Sequence, residues 1–543
     1  VPDAAVVNSA ALDPVSARIH ARRWWTLSVL CLSLLLIVAG NSSLNVTLPD
    51  IQQSLHSSAS GLEWIVDAYS LVFASLLLPA GALADRFGRK TALQFGLILF
   101  SGAALAGTFG TATWQLVVLR ALMGVGAAFI MPGTLSILTN VFRDPVERRR
   151  AISIWAGFAG LGGALGTVVS GVLLEYFWWG STFLVNVPIA LLALVAGIWL
   201  VPNSADPREA KLDPPGVALV VLGLTVLLYG IIEAPIHGWL RPTTIVSMVL
   251  GLAILGVFVL WELRTRQPML DVRLFTVRPF AIGSSTITLQ YFAMYGLYFA
   301  LAQYLQLAHG YSTLQTALIG LPIGVFAMVG APVSATMVGR FGPRRVVGSG
   351  LIVSGTGLFL LGWVTADTSV MYIVLGFILV GLGNGQTTAP STTLIMGSVP
   401  RAKSGVGSAV NDLSRELGGA LGIAVLGSVM ASVYRGQVVG KLHAFTPAVR
   451  DAARSSVAGA MQAAQSLDPQ RAHDLVHRAQ QTFAHAFGVA MLLGCGVILL
   501  NSLFVWTFQH RGTVHAAPEG PAEPAATDEA EVEAMDAALT ARD

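Results

Sequence analysis

The chain has 543 residues, of which 54% are hydrophobic and only 11% charged, with a mean hydropathy of +0.69. Soluble domains carry about 25% charged residues, so this chain lacks the polar surface to cover water-exposed domains of this total size, and its solvent is lipid. The net charge of +3 gives no reason to bind nucleic acid, and the two cysteines, Cys31 and Cys495, lie inside apolar runs that imply neither a disulfide framework nor a metal site.

A helix that crosses a bilayer needs roughly 20 mostly apolar residues. Residues 1–23 read as a polar tail without a cleavage-type signal. The first apolar run is too long for a signal-peptide core, so it is expected to stay as an anchor. From there the pattern predicts fourteen spans, at 24–48, 62–84, 90–110, 113–140, 149–175, 181–201, 214–234, 243–262, 280–307, 314–338, 345–365, 370–396, 404–433 and 483–508. The seventh and eighth are the most uniformly apolar. Between the last two spans, residues 434–482 are alanine-rich, with Thr446 as a helix cap, Pro447 in the first turn and a second start at Asp468-Pro469. This segment is expected to be a helical hairpin outside the cell. Residues 511–543, rich in Ala, Pro and Glu, are expected to be a disordered cytoplasmic tail.

Lys and Arg orient the chain. They occupy the N-terminal tail, every second loop after it and the C-terminal tail. The opposite side has Arg241 in its short loops and the basic residues of 434–482, while Arg120 and Arg415 lie inside spans. Both termini are therefore expected in the cytoplasm. In the turn after the second span, Arg86, Arg89 and Lys90 read as cations at a helix C-terminus, which suits the helix dipole. Asp85 is on the wrong end of that dipole and is expected to have a partner elsewhere. The string RFGRK at 86–90 recurs as RFGPRR at 340–345, eight spans later. Two six-helix halves separated by a two-helix insert produce that offset. The expected units are a tail (1–23), a first half (24–201), an insert (202–279), a second half (280–510) and a tail (511–543).

Gly81, Leu83, Ala84, Asp85, Arg86, Gly88, Arg89 and Lys90 form a turn that resembles the signature loop of the major facilitator superfamily. RALMGVG (120–126) resembles its second motif. WIVDAYSLVFA (64–74), FLVNVPI (183–189), QYLQLAHGYS (303–312) and GSAVNDLSRELGGALG (407–422) resemble its fourteen-helix drug/proton antiporter branch, the quaternary-ammonium and multidrug exporter type. The resemblance implies an all-α integral membrane protein with the major facilitator fold: two six-helix halves plus two inserted helices, both termini cytoplasmic. It also implies that the loop aspartate meets the start of the eleventh helix, which here follows Arg344 and Arg345. Gly81, Asp85, Arg86, Gly88, Arg89, Arg344 and Arg345 are accordingly expected to form a conformational latch. Two departures stand out. The acid usual in the first helix is replaced by Gly40, beside Asn41 and Asn45, and the fifth-helix motif reads Gly166-Thr167-Val168-Val169-Ser170-Gly171 without its proline. Gly157, Gly160, Gly162, Gly163 and Gly166 still offer close helix packing.

Ionisable residues inside a membrane are costly and mark function by default. Asp67 lies five residues into the second span and matches a family carboxylate; it can take up a proton when buried and ionise when wet. Asp412 and Glu416 are four apart and share a helix face, with Arg415 beside them, able to hold one of the two ionised. The resemblance places Arg120 along the cavity, with no acid near it in sequence. Proton coupling is expected from Asp67 first, then from Asp412 and Glu416 with Arg415 and Arg120. Tyr69, Phe73, Tyr291, Phe292, Tyr295, Tyr298 and Phe299 could wall a cavity for organic cations, and Asn384, Gln386 and Asn411 could add polar contacts.

The expected function is proton-coupled efflux of lipophilic or cationic drugs across the cytoplasmic membrane by alternating access. The alternative is export of an endogenous lipid or metabolite on the same fold, with weak or no coupling. The expected partners are the small substrate, protons and the lipid bilayer. No catalytic residue, cofactor, metal, nucleic acid or ATPase subunit is expected, because no nucleophile–base pair, ligand cluster or phosphate-binding loop is present in the sequence.

Overall fold

The computed structural model describes residues 14–508 apart from 58, 204–212, 266–267, 269, 401–402, 439, 441 and 443–444. The tail expected at 511–543 and the first residues of that at 1–23 lie outside the described residues. The first group of helices is α1 (Pro14–Leu55), α2 (Ala59–Phe87), α3 (Arg89–Thr108), α4 (Thr113–Val141), α5 (Pro145–Tyr176), the short α6 (Ser181–Leu184) and α7 (Asn186–Leu200). A hairpin follows, α8 (Pro214–His237) and α9 (Pro242–Arg264). The second group is α10 (Arg278–Gln303), α11 (Thr313–Phe341), α12 (Pro343–Leu361), α13 (Val370–Gly397), α14 (Ser404–Val438), the short α15 (Pro447–Ser455) and α16 (Val457–Ala464), and α17 (Pro469–Phe508).

Thirteen helical stretches among the described residues are long and apolar enough to cross a membrane. The fourteenth expected span is α10, continued by a π turn over Tyr304–Ala308. Ser284, Thr286 and Gln290 make it too polar to qualify, and all three are buried against neighbouring helices instead of facing lipid. The end of the chain also differs from expectation. Asp468 and Pro469 do not begin a separate surface helix but the 40-residue α17, which runs on unbroken through the last span. The α15–α16 pair beside it is short, with Pro447 in the first turn and Thr446 at the cap position but making no side-chain cap bond.

The two groups repeat one packing scheme. In the first, α1 packs on α5, α2 on α4, α3 on α4 and α7; in the second, α10 packs on α14, α11 on α13, α12 on α13 and α17. The groups meet through α5 with α11 and α13, and through α14 with α2 and α4. The glycines of α5 serve both contacts: Gly162 and Gly166 bring it onto Val38 and Ala39 of α1, and Gly157 and Gly160 bring it onto Met328 and Ala327 of α11. The α8–α9 hairpin lies outside this core, with α8 on α2 and α14 and α9 mostly exposed. Thr225 donates to Ser75 of α2 at 3.0 Å and Trp239 donates to Ser428 of α14 at 2.8 Å, so the insert spans the seam between the groups.

Candidate functional site

The charged turn sits where the groups meet. The α2 helix ends at Phe87, Gly88 turns with φ 104°, and Arg89 opens α3, so Arg89 and Lys90 are not at a helix C-terminus as the sequence suggested. Arg89 instead sits at the positive end of α3, buried and neutralised by Asp85, with Nε 2.8 Å and Nη2 2.7 Å from Oδ1. Lys90 reaches the last turn of α7, donating to the Ile198 carbonyl at 2.8 Å. Arg86 is half-buried, its guanidinium 5.2 Å from the Phe87 ring centre.

Asp85 finds its partner at the start of α14, not at the helix after Arg344 and Arg345. Gly405 N donates to Oδ2 at 2.9 Å and to Oδ1 at 3.1 Å, and Val406 N donates to Oδ2 at 3.3 Å. The carboxylate thus serves as the anion at an α14 N-terminus whose amides have no partner within their own helix. The correction has a simple physical origin. The corresponding helix of the first group, α5, is capped locally, Asp144 accepting from Glu147 N at 2.7 Å. In the repeat of the charged turn, the place of Asp85 is taken by Gly339. Arg344 turns away to α17, donating to the Trp506 carbonyl and lying 5.6 Å from its ring centre, and Arg345 is exposed. Glycine is required on both sides of the Asp85 contact. A Cβ at Gly81 would come 2.6 Å from the Gly405 carbonyl oxygen, and one at Gly405 would come 2.5 Å from the Gly81 oxygen. Ser404 adds contacts to α4, lying 2.8 Å from Ser136 Oγ and accepting from Asn140 at 3.0 Å.

Deeper in the first group, Arg120 of α4 is fully buried and answers the question of its missing acid. Its Nη2 donates to Asn41 Oδ1 at 2.8 Å, its Nε to the Ile65 carbonyl at 3.2 Å, and its guanidinium lies 4.3 Å from the Tyr69 ring centre. The neighbouring position 40 is closely packed: a Cβ there would meet Asn186 Oδ1 at 3.0 Å and Phe100 at 3.3 Å, so a larger side chain would require both neighbours to shift. Tyr69 stacks on Phe73 at 5.7 Å, and Asp67 is half-buried two residues earlier on the same helix.

On α14, Asp412 is fully buried, with Oδ1 accepting from Asn411 Nδ2 at 3.0 Å and Oδ2 without a partner. Glu416 is half-buried one turn further on. Arg415 pairs with neither acid, contrary to the expected salt bridge. Its guanidinium lies 5.0 Å from the Trp155 ring of α5 and 5.2 Å from the Tyr291 ring of α10, with Nε and Nη2 unbonded. Trp155 is itself held by donating to Thr134 Oγ1 at 3.1 Å. Nothing in the run around Trp155 marks it, because its partner is distant in sequence and on the other group of helices.

The remaining expected cavity residues divide. Tyr295 packs edge-on to Tyr291 at 5.6 Å, and Phe292 is buried against Gly422. Phe299 is 40% exposed, leaning on Gly427. Asn384 accepts from Thr388 of its own helix at 3.1 Å, and Asn411 accepts from Thr392 of α13 at 2.9 Å. Gln386 joins α13 to α12 through Ser349 at 2.7 Å. The side chain of Asn45 lies outside the described residues, and no metal-binding group of His, Cys, Asp or Glu occurs among those described.

Two repeated helical groups meeting around buried charges, with a carboxylate of one group capping a helix of the other, define a multi-pass membrane transporter. The chain belongs to the major facilitator superfamily, whose family model matches residues 30–423. The multidrug efflux pump LfrA of Mycolicibacterium smegmatis is 35% identical over 492 residues, covering 91% of this chain and 97% of that protein. The methyl viologen resistance protein SmvA of Salmonella typhimurium is 31% identical, over 89% of this chain and 98% of that protein. The tetracenomycin C resistance and export protein of Streptomyces glaucescens is 30% identical, over 94% and 96%. Among solved structures, the proton:xylose symporter XylE matches with a TM-score of 0.61 at 15% identity, over 91% of this chain and 98% of that one, a likeness of fold.

Proposed function

We propose that this protein exports lipophilic, often cationic compounds across the cell membrane by alternating access, with proton entry as the driving force. The observation that carries the reading is the α14 group: a fully buried Asp412 and a half-buried Glu416 flank an Arg415 that lies against the other group of helices. Carboxyls at a moving contact change their surroundings as access alternates, which couples protonation to conformation. The names of the relatives, a multidrug efflux pump and resistance and export proteins, support drugs as the substrate class. In this reading Asp67, Asp412 and Glu416 exchange protons, Arg120 and Arg415 set the charge balance, and Gly81, Asp85 and Arg89 close the cytoplasmic side. The fourteen-span topology with both termini inside belongs to the same proposal.

Purified protein in liposomes tests it. An imposed pH gradient should drive ethidium transport with counterflow of protons, and collapse of the gradient should stop it. The position 40 departure favours a second reading, export of an endogenous lipid or metabolite with little coupling. Dye movement unaffected by the gradient would select that second reading.

A further inference from the structure

Arg415 is 1% exposed, yet Nε and Nη2 have no hydrogen-bond partner, and the guanidinium lies 5.0 and 5.2 Å from the centres of two aromatic rings. Trp155 comes from the first group of helices and Tyr291 from the second. Trp155, Tyr291 and Arg415 all lie ~10–13 residues in from helix starts at the same end of the bundle, on the order of 15–20 Å along the axis at a rise of 1.5 Å per residue. Three residues back on α14, and on the same face, Asp412 Oδ2 is buried and unpartnered. A buried cation is therefore seated on π-faces, one residue-reach from a carboxyl atom that lacks a partner.

We propose that the Trp155–Tyr291 cleft is a binding subsite for the positive group of an organic cation, and that Arg415 is its built-in occupant. Arg415 fills the cleft when the groups are closed. When they part, Trp155 and Tyr291 separate and a substrate cation takes the ring faces. The displaced guanidinium turns back along its helix to Asp412, whose carboxyl gives its proton to cavity water and becomes the carboxylate of an Arg415–Asp412 pair. The balance is one substrate cation bound and one proton released, with no other bond changed. The other ionisable groups near this centre are Glu416 on α14, Tyr295 and Tyr298 near Tyr291 on α10, Tyr69 on α2 and Arg120 on α4. Arg120 is held by Asn41 and Ile65, which leaves Arg415 as the cation free to move to Asp412. This inference rests on the export reading and adds to it where the charge of the substrate is read.

The test uses the purified full chain in detergent and tetraphenylphosphonium as the probe, measuring its Kd by calorimetry and proton release with an indicator dye in weak buffer. Wild type should release about one proton per probe bound. Arg415→Leu should bind about tenfold more tightly, because the competitor is gone, and release none; Arg415→Lys should restore release. Trp155→Leu should bind about tenfold more weakly, and Trp155→Phe should recover most of the loss. The opposite signs of the two leucine variants are the signature, since a structural strut would weaken binding in both. Weaker or unchanged binding in Arg415→Leu overturns the displacement. If that variant does not fold, the Trp155 pair decides: wild-type affinity in Trp155→Leu, or no recovery in Trp155→Phe, overturns the subsite. Gradient-driven ethidium efflux by wild type together with such a result leaves the export reading standing, and a wild type that neither binds the probe nor exports removes both.

Discussion

Replacing Asp85 with asparagine should open the cytoplasmic side, and the size of the effect follows from the contacts. Asp85 is bonded both to Arg89, four residues on at the start of α3, and to Gly405 N and Val406 N across the seam. The Arg89 pair travels with the turn, so its loss acts on the open and closed states alike and largely cancels from the access equilibrium. Only the contact with α14 is specific to the closed state. A charged hydrogen bond contributes about 1.5–3 kcal/mol and a neutral one about 1. An anion at a helix N-terminus adds about 0.3–1 kcal/mol. Asparagine keeps one neutral acceptor, so the closed state loses about 2 kcal/mol, a shift of about 30-fold. A side that is closed about 99:1 then falls to about 3:1. The exposed Phe87 and Phe341 are convenient for cysteine replacement and spin labelling, while Cys31 and Cys495 are buried and unreactive to a bulky label. Double electron–electron resonance should show a longer-distance component rising from about one percent to about a quarter. Turnover should fall while substrate affinity stays within about twofold. An unchanged distance distribution with normal turnover in well-folded protein would refute the reasoning and reduce the cluster to a membrane anchor.

Topology is checked with single cysteines at the exposed positions His56, Gln462 and Val146: an impermeant thiol reagent added outside intact cells should label the first two and not the third, and labelling at Val146 alone inverts the orientation. Gly81→Val should block closure, since even a Cβ there lies 2.6 Å from the Gly405 oxygen; transport should fall more than tenfold, whereas Gly102→Ala, with open space around it, should transport normally. Asp67→Asn should abolish gradient-driven efflux in liposomes while leaving binding of a neutral substrate measurable, and unimpaired gradient-driven efflux in that variant moves coupling to α14 alone. Asp412→Asn should be severe and Glu416→Gln milder in the proton-release assay, because Asp412 is fully buried and bonded to Asn411 whereas Glu416 is half-buried. Equal effects would contradict distinct roles.

Apolar run length and the alternation of Lys and Arg made the membrane character, the span positions and the repeat legible, because burial in lipid acts on each helix separately and leaves its mark in every run of about 20 residues. The candidate residues were visible for the same local reason: a charge inside or beside an apolar run is conspicuous wherever it lies, so Asp67, Asp85, Arg120, Asp412, Arg415 and Glu416 could be named from the chain alone. What each of them touches could not be. Hydrogen bonds and ring contacts depend on which helices become neighbours and how they are turned. Asp85 reaches Gly405, Arg120 reaches Asn41 and Arg415 reaches Trp155, each from a different helix and two of them from the other group. The expected pairing of Arg415 with one of its two neighbouring acids follows from helix periodicity, but packing brought two ring faces to the guanidinium instead. The polar residues of α10 set it apart from the other long helices in sequence, and only the assembled bundle shows why they are tolerated: Ser284, Thr286 and Gln290 are buried against neighbouring helices and away from lipid, and Gln290 donates to Ser354 of α12 at 3.2 Å.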